Sequence, residues 1–146
     1  MPRYFTLEQA ERLLPVVESS ILVAIARKSE LQQADQSFRD LTRRIMMMGG
    51  MAVNVESAAR IRQTRDRSAE KLQEVMAEIE SLGCQVKDLD IGLLDFLTLY
   101  KGREVCLCWR LGETRIEFWH GLDEGFRGRK AIDEDFLSNH RGDPVS

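Results

Sequence analysis

The spacing of the apolar residues changes at Gly83, and this change divides the chain into two parts. Before Gly83, apolar side chains recur every seven residues, which is typical of a helix that packs along one long partner. After Gly83, apolar and polar side chains alternate, which is typical of a β-strand. The sequence therefore predicts an α+β fold, in which a long antiparallel helical hairpin with a short N-terminal helix packs on a small antiparallel β-meander of three or four strands.

The helical part is predicted to span residues 6–83. Thr6 and Gln9 have the spacing of a capping box, so a short helix is expected over Leu7–Leu14. Pro15 should then cause a kink or a fresh start, because proline disfavours the helical conformation of the residue before it and has no amide proton to donate. The helix that follows has two apolar rows, which are Val17, Ala24, Leu31, Phe38 and Ile45, and Ala34, Leu41 and Met48.

A second long helix is expected directly after Gly49–Gly50. Asn54 is placed to cap a helix over Val55–Leu82, and Gly83 is placed to end it. The two helices together predict an antiparallel hairpin about 45 Å long. The apolar rows of the second helix are Ala58, Arg65, Leu72 and Ile79, and Ile61 or Arg62, Ala69 and Met76.

Two loops set the predicted register of the β-meander, whose first strand is expected within Cys84–Leu89. Tyr100–Arg103 has the pattern of a two-residue hairpin turn, and Leu111–Thr114 is interpreted as the next loop. This register places one set of apolar side chains, and His120, on the face towards the helices. The predicted pairs are Leu94 with Trp109, Phe96 with Leu107 and Thr98 with Val105, and then Trp109 with Ile116, Leu107 with Phe118 and Val105 with His120.

The opposite face of the predicted sheet is too apolar to be left exposed to solvent. Either the segment after His120 or a second subunit is expected to cover this face. A homodimer formed through the helical seam or through this face is predicted. We interpret residues 1–146 as a single domain, with the β-meander and C-terminal segment in residues 84–130 and a flexible tail in about residues 131–146. The apolar residues expected on the opposite face are Leu97, Leu99, Cys106, Cys108 and Trp119.

Composition argues against several classes of protein. The formal net charge of −3 is not that of a nucleic-acid-binding protein. No apolar run is long enough to cross a bilayer, and Met1–Phe5 lacks the pattern of an export signal. The three cysteines include no CxxC pair, and Cys106 and Cys108 are two apart on a strand, so reduced thiols are expected. We therefore expect a cytoplasmic protein.

Four segments resemble a known family. They are YFTLEQAERLLP (Tyr4–Pro15), KDLDIGLLDF (Lys87–Phe96), GREVCLCWRLGE (Gly102–Glu113) and FWHGLDEGFRGR (Phe118–Arg129). In this order they resemble the pattern of a bacterial family of uncharacterised proteins that is catalogued as domain of unknown function number 2203. The resemblance spans nearly the whole chain, and it implies a family without implying a mechanism.

His120 is the first candidate for chemistry. It lies beside Trp119 and three residues before Asp123, and a histidine held by a carboxylate at the edge of an apolar pocket can act as a general base or a metal ligand. The competing interpretation is a buried histidine that is hydrogen-bonded to a neighbour. The predicted register puts the cysteines on the opposite face of the sheet, so the sequence names no nucleophile for His120 to activate.

Further candidates lie where the predicted strand ends meet the helices. Asp88 and Asp90 can hold Mg²⁺ or Ca²⁺, although the same residues also suit a turn or a bulge. Arg110 can bind an anionic ligand, or it can form a cross-strand ion pair with an acidic residue such as Glu113. The full set of candidate ligand-binding and catalytic residues is Lys87, Asp88, Asp90, Arg110, Glu113, Trp119, His120 and Asp123.

Two functions remain open from the sequence. The first is a non-enzymatic interaction or scaffold protein that forms a homo-oligomer, with a partner site at the methionine-rich hairpin tip, Met46–Met51. The second is a metal-dependent or small-ligand-binding enzyme with a site around Asp88, Asp90 and His120. The sequence names no cofactor.

Overall fold

The structure is a computed structural model of the chain, in which residues 2–48 and 55–144 are described. It contains two compact units, a sheet unit (residues 1–21 and 78–146) and a helix-pair unit (residues 22–77). The α+β class is confirmed, whereas the interpretation as a single domain stays a prediction. The elements are α1 (Leu7–Met47), α2 (Val55–Ser81), β1 (Gln85–Asp88), β2 (Leu93–Tyr100), β3 (Arg103–Arg110), β4 (Phe118–Gly121), a 3₁₀ turn (Phe126–Gly128), β5 (Lys130–Ala131), α3 (Glu134–Asn139) and β6 (His140–Arg141).

In the helix-pair unit, the buried residues of α1 lie in the predicted rows, whereas the buried residues of α2, Ser68 and Val75, lie outside them. Ala24 is buried, and the larger row members Leu31 and Leu72 are half-buried. Arg65 interrupts the predicted apolar row of α2, and its guanidinium carbon lies 4.7 Å from the centre of the Phe38 ring. A cation–π contact therefore takes the place of apolar packing at this position.

The ends of α2 bear on two predictions. Gly83 follows the helix with a φ of +98°, and its N–H donates to the Glu80 carbonyl at 2.9 Å, so the predicted glycine stop is confirmed. The predicted cap Asn54 and the predicted Gly49–Gly50 turn lie outside the described residues. Among the described residues, no helix combines the length and the apolar composition that a membrane span needs.

The start of α1 confirms one prediction and corrects another. Thr6 N–H donates to Gln9 Oε1 at 3.0 Å and Gln9 N–H donates to Thr6 Oγ1 at 3.1 Å, which is the predicted capping box. A separate helix over Leu7–Leu14 is wrong, because α1 continues through Pro15 to Met47. Proline inside a helix costs about 3 kcal/mol, and burial of an apolar side chain contributes about 1.5–3 kcal/mol. Leu14 and Val17, on either side of Pro15, are both buried, so packing offsets that cost.

The first hairpin of the sheet has the predicted register. Leu94 pairs with Trp109 and Phe96 pairs with Leu107, both through antiparallel β2 and β3. The turn places Lys101 at a φ of +53° and Gly102 at +78°, as a two-residue hairpin turn requires. The sheet itself has six strands in the order β1-β2-β3-β4-β5, with β6 paired to β2, so the prediction of three or four strands is too low.

The predicted register of β4 is wrong by one residue. His120 pairs with Cys106 rather than with Val105, and Leu107 pairs with Trp119 rather than with Phe118. The cause is the connection before β4, which runs from residue 111 to residue 117 instead of ending at Thr114. His120 and Phe118 therefore lie on the face that carries Cys106, and Trp119 lies on the face of Leu107, opposite to the prediction for all three.

The segment interpreted as a flexible tail forms secondary structure as far as Arg141. Phe136 of α3 is fully buried, and its ring stacks on Trp119 with a centroid distance of 5.1 Å. Asp133 caps α3 by accepting from the Phe136 N–H at 2.8 Å. Leu7 N–H donates to His140 Nε2 at 2.9 Å, which ties this segment to the start of α1. One buried aromatic ring thus orders a stretch that is otherwise polar.

Candidate metal and ligand site

Three side chains that bind metals in proteins meet on one face of the sheet. Asp95 on β2, Cys106 on β3 and His120 on β4 are each at most 3% exposed. One ligand atom from each residue lies within 4.8 Å of the other two. Because side chains two apart on a strand share a face and the three strands are adjacent, the register alone brings these residues together. We call them the Asp–Cys–His cluster.

The hydrogen bonds of His120 indicate the charge of its ring. Its Nε2 lies 2.9 Å from Asp95 Oδ1, and its Nδ1 lies 2.8 Å from the Gly121 carbonyl oxygen. Both partners are acceptors when Asp95 is ionised, so both ring nitrogens donate and the ring is an imidazolium. The hydrogen bond to Asp95, followed by one with Cys108, raises the pKa of His120 to about 10, although burial acts in the opposite direction. Without a metal, His120 and Asp95 form a buried ion pair.

Burial keeps Cys84 and Cys106 protonated at neutral pH. Burial is the main cause that raises the pKa of Cys106 to about 12, and the negative charge of Asp95 acts in the same direction. Burial also raises the pKa of Cys84 to about 11. Cys84, Cys106 and Cys108 are all free and buried, which agrees with the predicted reduced thiols. Cys106 therefore needs a metal, or another strong positive charge, to become a thiolate at neutral pH.

The cluster opens into a cavity of about 310 Å³. Leu122 and Phe126, from the segment after His120, form part of its wall. The segment after His120, which is one of the two predicted covers, therefore covers this face of the sheet where the cavity lies. The complete lining is Gln85, Lys87, Leu93, Asp95, Leu97, Glu104, Cys106, His120, Leu122, Gly125 and Phe126.

Arg129 holds the covering segment against the sheet. Its guanidinium carbon lies 4.3 Å from the centre of the Phe118 ring and 4.8 Å from that of Phe126. Its two terminal nitrogens donate to the two carboxylate oxygens of Glu113 at 2.6 and 2.9 Å, and one of them also donates to the Cys108 carbonyl at 3.2 Å. This bidentate pair and the two ring contacts position Phe126 at the cavity.

The predicted acidic residues Asp88, Asp90 and Asp123 do not line the cavity of the Asp–Cys–His cluster. Asp88 Oδ1 accepts from the Asp90 N–H at 3.0 Å, which is the turn interpretation of this pair. Asp123 lines a separate, larger cavity of about 710 Å³. The carboxylate that holds His120 is Asp95 instead.

The other predicted site residues lie on the two faces of the sheet and in the loop between β3 and β4. Lys87 and His120 line the same cavity, so the structure brings these two together. Trp119 lies on the opposite face, with its ring 5.2 Å from that of Tyr100. Glu113 pairs with Arg129, and it also accepts from the Arg110 N–H at 2.7 Å. Arg110 is exposed, with its guanidinium carbon 6.0 Å from the Phe126 ring centre.

Sequence reasoning missed Asp95 and Cys106 as members of the site. A signal was present, because an aspartate in the apolar stretch LLDFLTLY is costly unless it has a partner. The partner could be identified only with the correct register of β4, which the predicted loop did not give.

Comparison with known proteins assigns the chain to a family. A family model described as "Uncharacterized conserved protein (DUF2203)" matches residues 3–132. The chain belongs to this family. The matched residues include all three members of the Asp–Cys–His cluster in this DUF2203 protein. No match was found among curated proteins or among solved structures.

Proposed function

We propose that this DUF2203 protein binds a transition-metal ion at the Asp–Cys–His cluster and presents that ion to a small ligand in the adjoining cavity. The observation that carries the proposal is the convergence of one oxygen, one sulfur and one nitrogen ligand within 4.8 Å on the wall of a cavity. Imidazole, thiolate and carboxylate together are a ligand set that suits Zn²⁺.

The spacing of the cluster supports this proposal. In a tetrahedral zinc site the ligand atoms are about 3.3–3.6 Å apart. His120 Nε2 and Asp95 Oδ1 are 2.9 Å apart, so a small separation of these two side chains makes room for an ion. The other nitrogen of His120 faces the Gly121 carbonyl, which is the kind of partner that orients a metal-bound histidine. Three protein ligands leave a fourth position for water or a ligand, as in catalytic rather than structural zinc sites.

Metal binding replaces protons at two of the three ligands. Since His120 Nε2 and the Cys106 sulfur carry protons without a metal, binding releases about two protons and becomes tighter as the pH rises. A free thiol that is available as a metal ligand is favoured in a reducing compartment, which fits a cytoplasmic location.

The test is zinc titration of metal-free protein by calorimetry in two buffers of different ionisation enthalpy, with metal content measured independently. We expect one zinc ion per chain, and a buffer dependence equivalent to about two protons released. Cys106→Ser should weaken zinc binding by about 100-fold or more. Cys84→Ser is the matched control, because Cys84 is equally buried but makes its hydrogen bond to the Ile79 carbonyl, away from the cluster.

Two results contradict the metal proposal. One is the absence of zinc binding by a folded wild-type protein, which would leave the His120–Asp95 pair as a structural ion pair. The other is equal zinc affinity of the Cys106→Ser and Cys84→Ser variants. Circular dichroism of each variant confirms that it is folded before titration.

We propose a second function, homo-oligomeric interaction, on the basis of the methionines at the end of α1. Met46 is 77% exposed and Met47 is 81% exposed, whereas apolar side chains of this size are usually covered. Met51, also part of the predicted tip, lies outside the described residues. Light scattering should give twice the 16.8 kDa of one chain, and Met46→Gln with Met47→Gln should reduce that mass. Arg43→Gln with Arg44→Gln, on the same turn, is the control; an unchanged mass in the methionine variant contradicts this role.

A further inference from the structure

Lys87 carries a positive charge, and no described side chain forms an ion pair with it. It is exposed on β1 and lines the cavity beside the Asp–Cys–His cluster. No hydrogen bond or ion pair of its ammonium group occurs among the described residues. Its charge acts on Cys106 and lowers the pKa of that thiol against the effect of burial. An unpaired cation next to a candidate metal site favours an anion between the two.

The acidic side chains of the cavity are already engaged. Asp95 is paired with His120, and Glu104 accepts a hydrogen bond from the Tyr4 hydroxyl. Gln85 and Gly125, also in the lining, carry no charge. Among the described residues of the lining, Lys87 is therefore the cation that has no carboxylate partner, since His120 is paired with Asp95.

The rest of the lining is apolar and partly uncovered. Leu122 is 54% exposed and Phe126 is 37% exposed, although both line the cavity together with Leu93 and Leu97. A ligand with an apolar body would cover these side chains. The volume of about 310 Å³ is at the lower end for ligand pockets, which favours a compact molecule over a nucleotide or a large cofactor.

We infer that the cavity binds a small carboxylate, whose head group lies between the metal ion and the Lys87 ammonium and whose apolar body packs against Leu93, Leu97, Leu122 and Phe126. This inference rests on the proposed function, because the metal ion supplies one of the two positive partners. The carboxylate takes the open coordination position of the ion and needs no chemical step in order to bind.

The test uses zinc-loaded protein whose metal content has been measured on the same sample. Hexanoate is titrated by calorimetry against wild type, Lys87→Met and Lys71→Met, which is an exposed lysine of α2 in the helix-pair unit. We expect hexanoate to bind wild type and Lys71→Met equally, and to bind Lys87→Met about tenfold more weakly at unchanged zinc content. Hexanol should bind wild type at least tenfold more weakly than hexanoate, and acetate should bind more weakly because it lacks the apolar body.

The outcomes separate this inference from the proposed function. Zinc binding without hexanoate binding, or with equal affinity of Lys87→Met and Lys71→Met, overturns the carboxylate and leaves the metal site in place. Tighter binding of butyl phosphate than of hexanoate overturns the choice of head group. A folded protein that binds no zinc overturns both proposals.

Discussion

At His120, two acceptors on opposite sides of the imidazole decide how many protons the ring carries. One of them, the Gly121 carbonyl, is always an acceptor, so the other, Asp95, controls the charge. With a metal ion absent, the carboxylate keeps the ring positive. In the proposed metal-bound state, the same carboxylate would be a ligand and the ring would be neutral. In the proposed site, two protons are therefore exchanged for one Zn²⁺ ion, and the net charge of the cluster does not change.

Asp95→Asn should destabilise the metal-free protein. Removal of one partner of a buried ion pair typically costs about 3 kcal/mol, because the other charge remains in a poor solvent. Glu117→Gln is the control, since the Arg115–Glu117 pair is 70% and 52% exposed and such pairs contribute less than about 1 kcal/mol. Urea unfolding of both variants measures the difference. Equal losses of unfolding free energy in the two variants would show that the buried pair contributes no more to stability than the exposed pair.

The stability of the metal-free protein should fall at alkaline pH. The folded pKa of His120 is about 10 and the unfolded value is about 6.5, so the folded state holds one more proton between them. The contribution is complete below about pH 6.5 and disappears as the pH rises through 10. The titratable groups around the ring are Asp95, Cys106, Cys108 and Glu124. Unfolding free energies measured from pH 6 to 10 should show this decline in wild type, and a smaller one in Asp95→Asn.

At the scale of elements, α1 shows how packing overrides a local signal. Pro15 removes one backbone hydrogen bond, yet the helix continues because side chains before and after it are buried. Pro15→Ala should therefore restore the bond and raise the free energy of unfolding, by about 1–3 kcal/mol. Ser19→Ala, also exposed on α1, controls for helix propensity alone and should gain no more than about 0.5 kcal/mol. A loss of stability in Pro15→Ala would mean that the ring itself contributes to packing.

The two loops of the meander explain why half of the register could be predicted. The first loop carries its own information, since Lys101 and Gly102 adopt positive φ in a turn that glycine favours. The second loop also has a glycine at positive φ, Gly112 at +104°, but it runs on to residue 117 and is not a two-residue turn. Its course depends on Glu113, which accepts from the Trp109 indole N–H through its carbonyl at 2.9 Å and from Arg129 through its carboxylate. Arg129 is 16 residues away, and a partner at that distance is invisible to a local pattern.

The site was missed for the same reason. Its three residues share a face only in the observed register, and the predicted one separated His120 from Cys106. Residues of these types are easy to notice in the sequence, but only the register of β4 against β3 shows that they lie close together. Likewise, the polar composition of the last 16 residues hid Phe136, which finds its partners in Trp119 and Tyr100.

On the scale of the whole molecule, the two units differ in what they bury. Among the described residues of the helix-pair unit, the buried side chains are Ala24, Ala34, Ser68 and Val75, all of them small or medium in size. The sheet unit buries large rings such as Trp109, Phe96 and Phe136. Apolar burial is the main source of local stability, so the two units should not open with the same free energy.

Hydrogen exchange should reveal this difference. We expect amides of residues 55–70 in α2 to exchange faster than amides of β2 and β3, by about tenfold or more. Exchange rates are also compared along the length of each helix. The measurement is exchange followed by mass spectrometry under native conditions. Uniform protection across both units would contradict the expectation and would indicate one cooperative structure.

The pairing of His120 with Cys106 has a practical consequence for anyone who prepares this protein. An isomer with β4 displaced by one residue would retain its secondary structure, and circular dichroism would not distinguish it from the native form. The Trp119 indole of this isomer would, however, lose its contacts with the rings of Tyr100 and Phe136. Tryptophan emission therefore offers a simple quality check on every batch, before any metal is added.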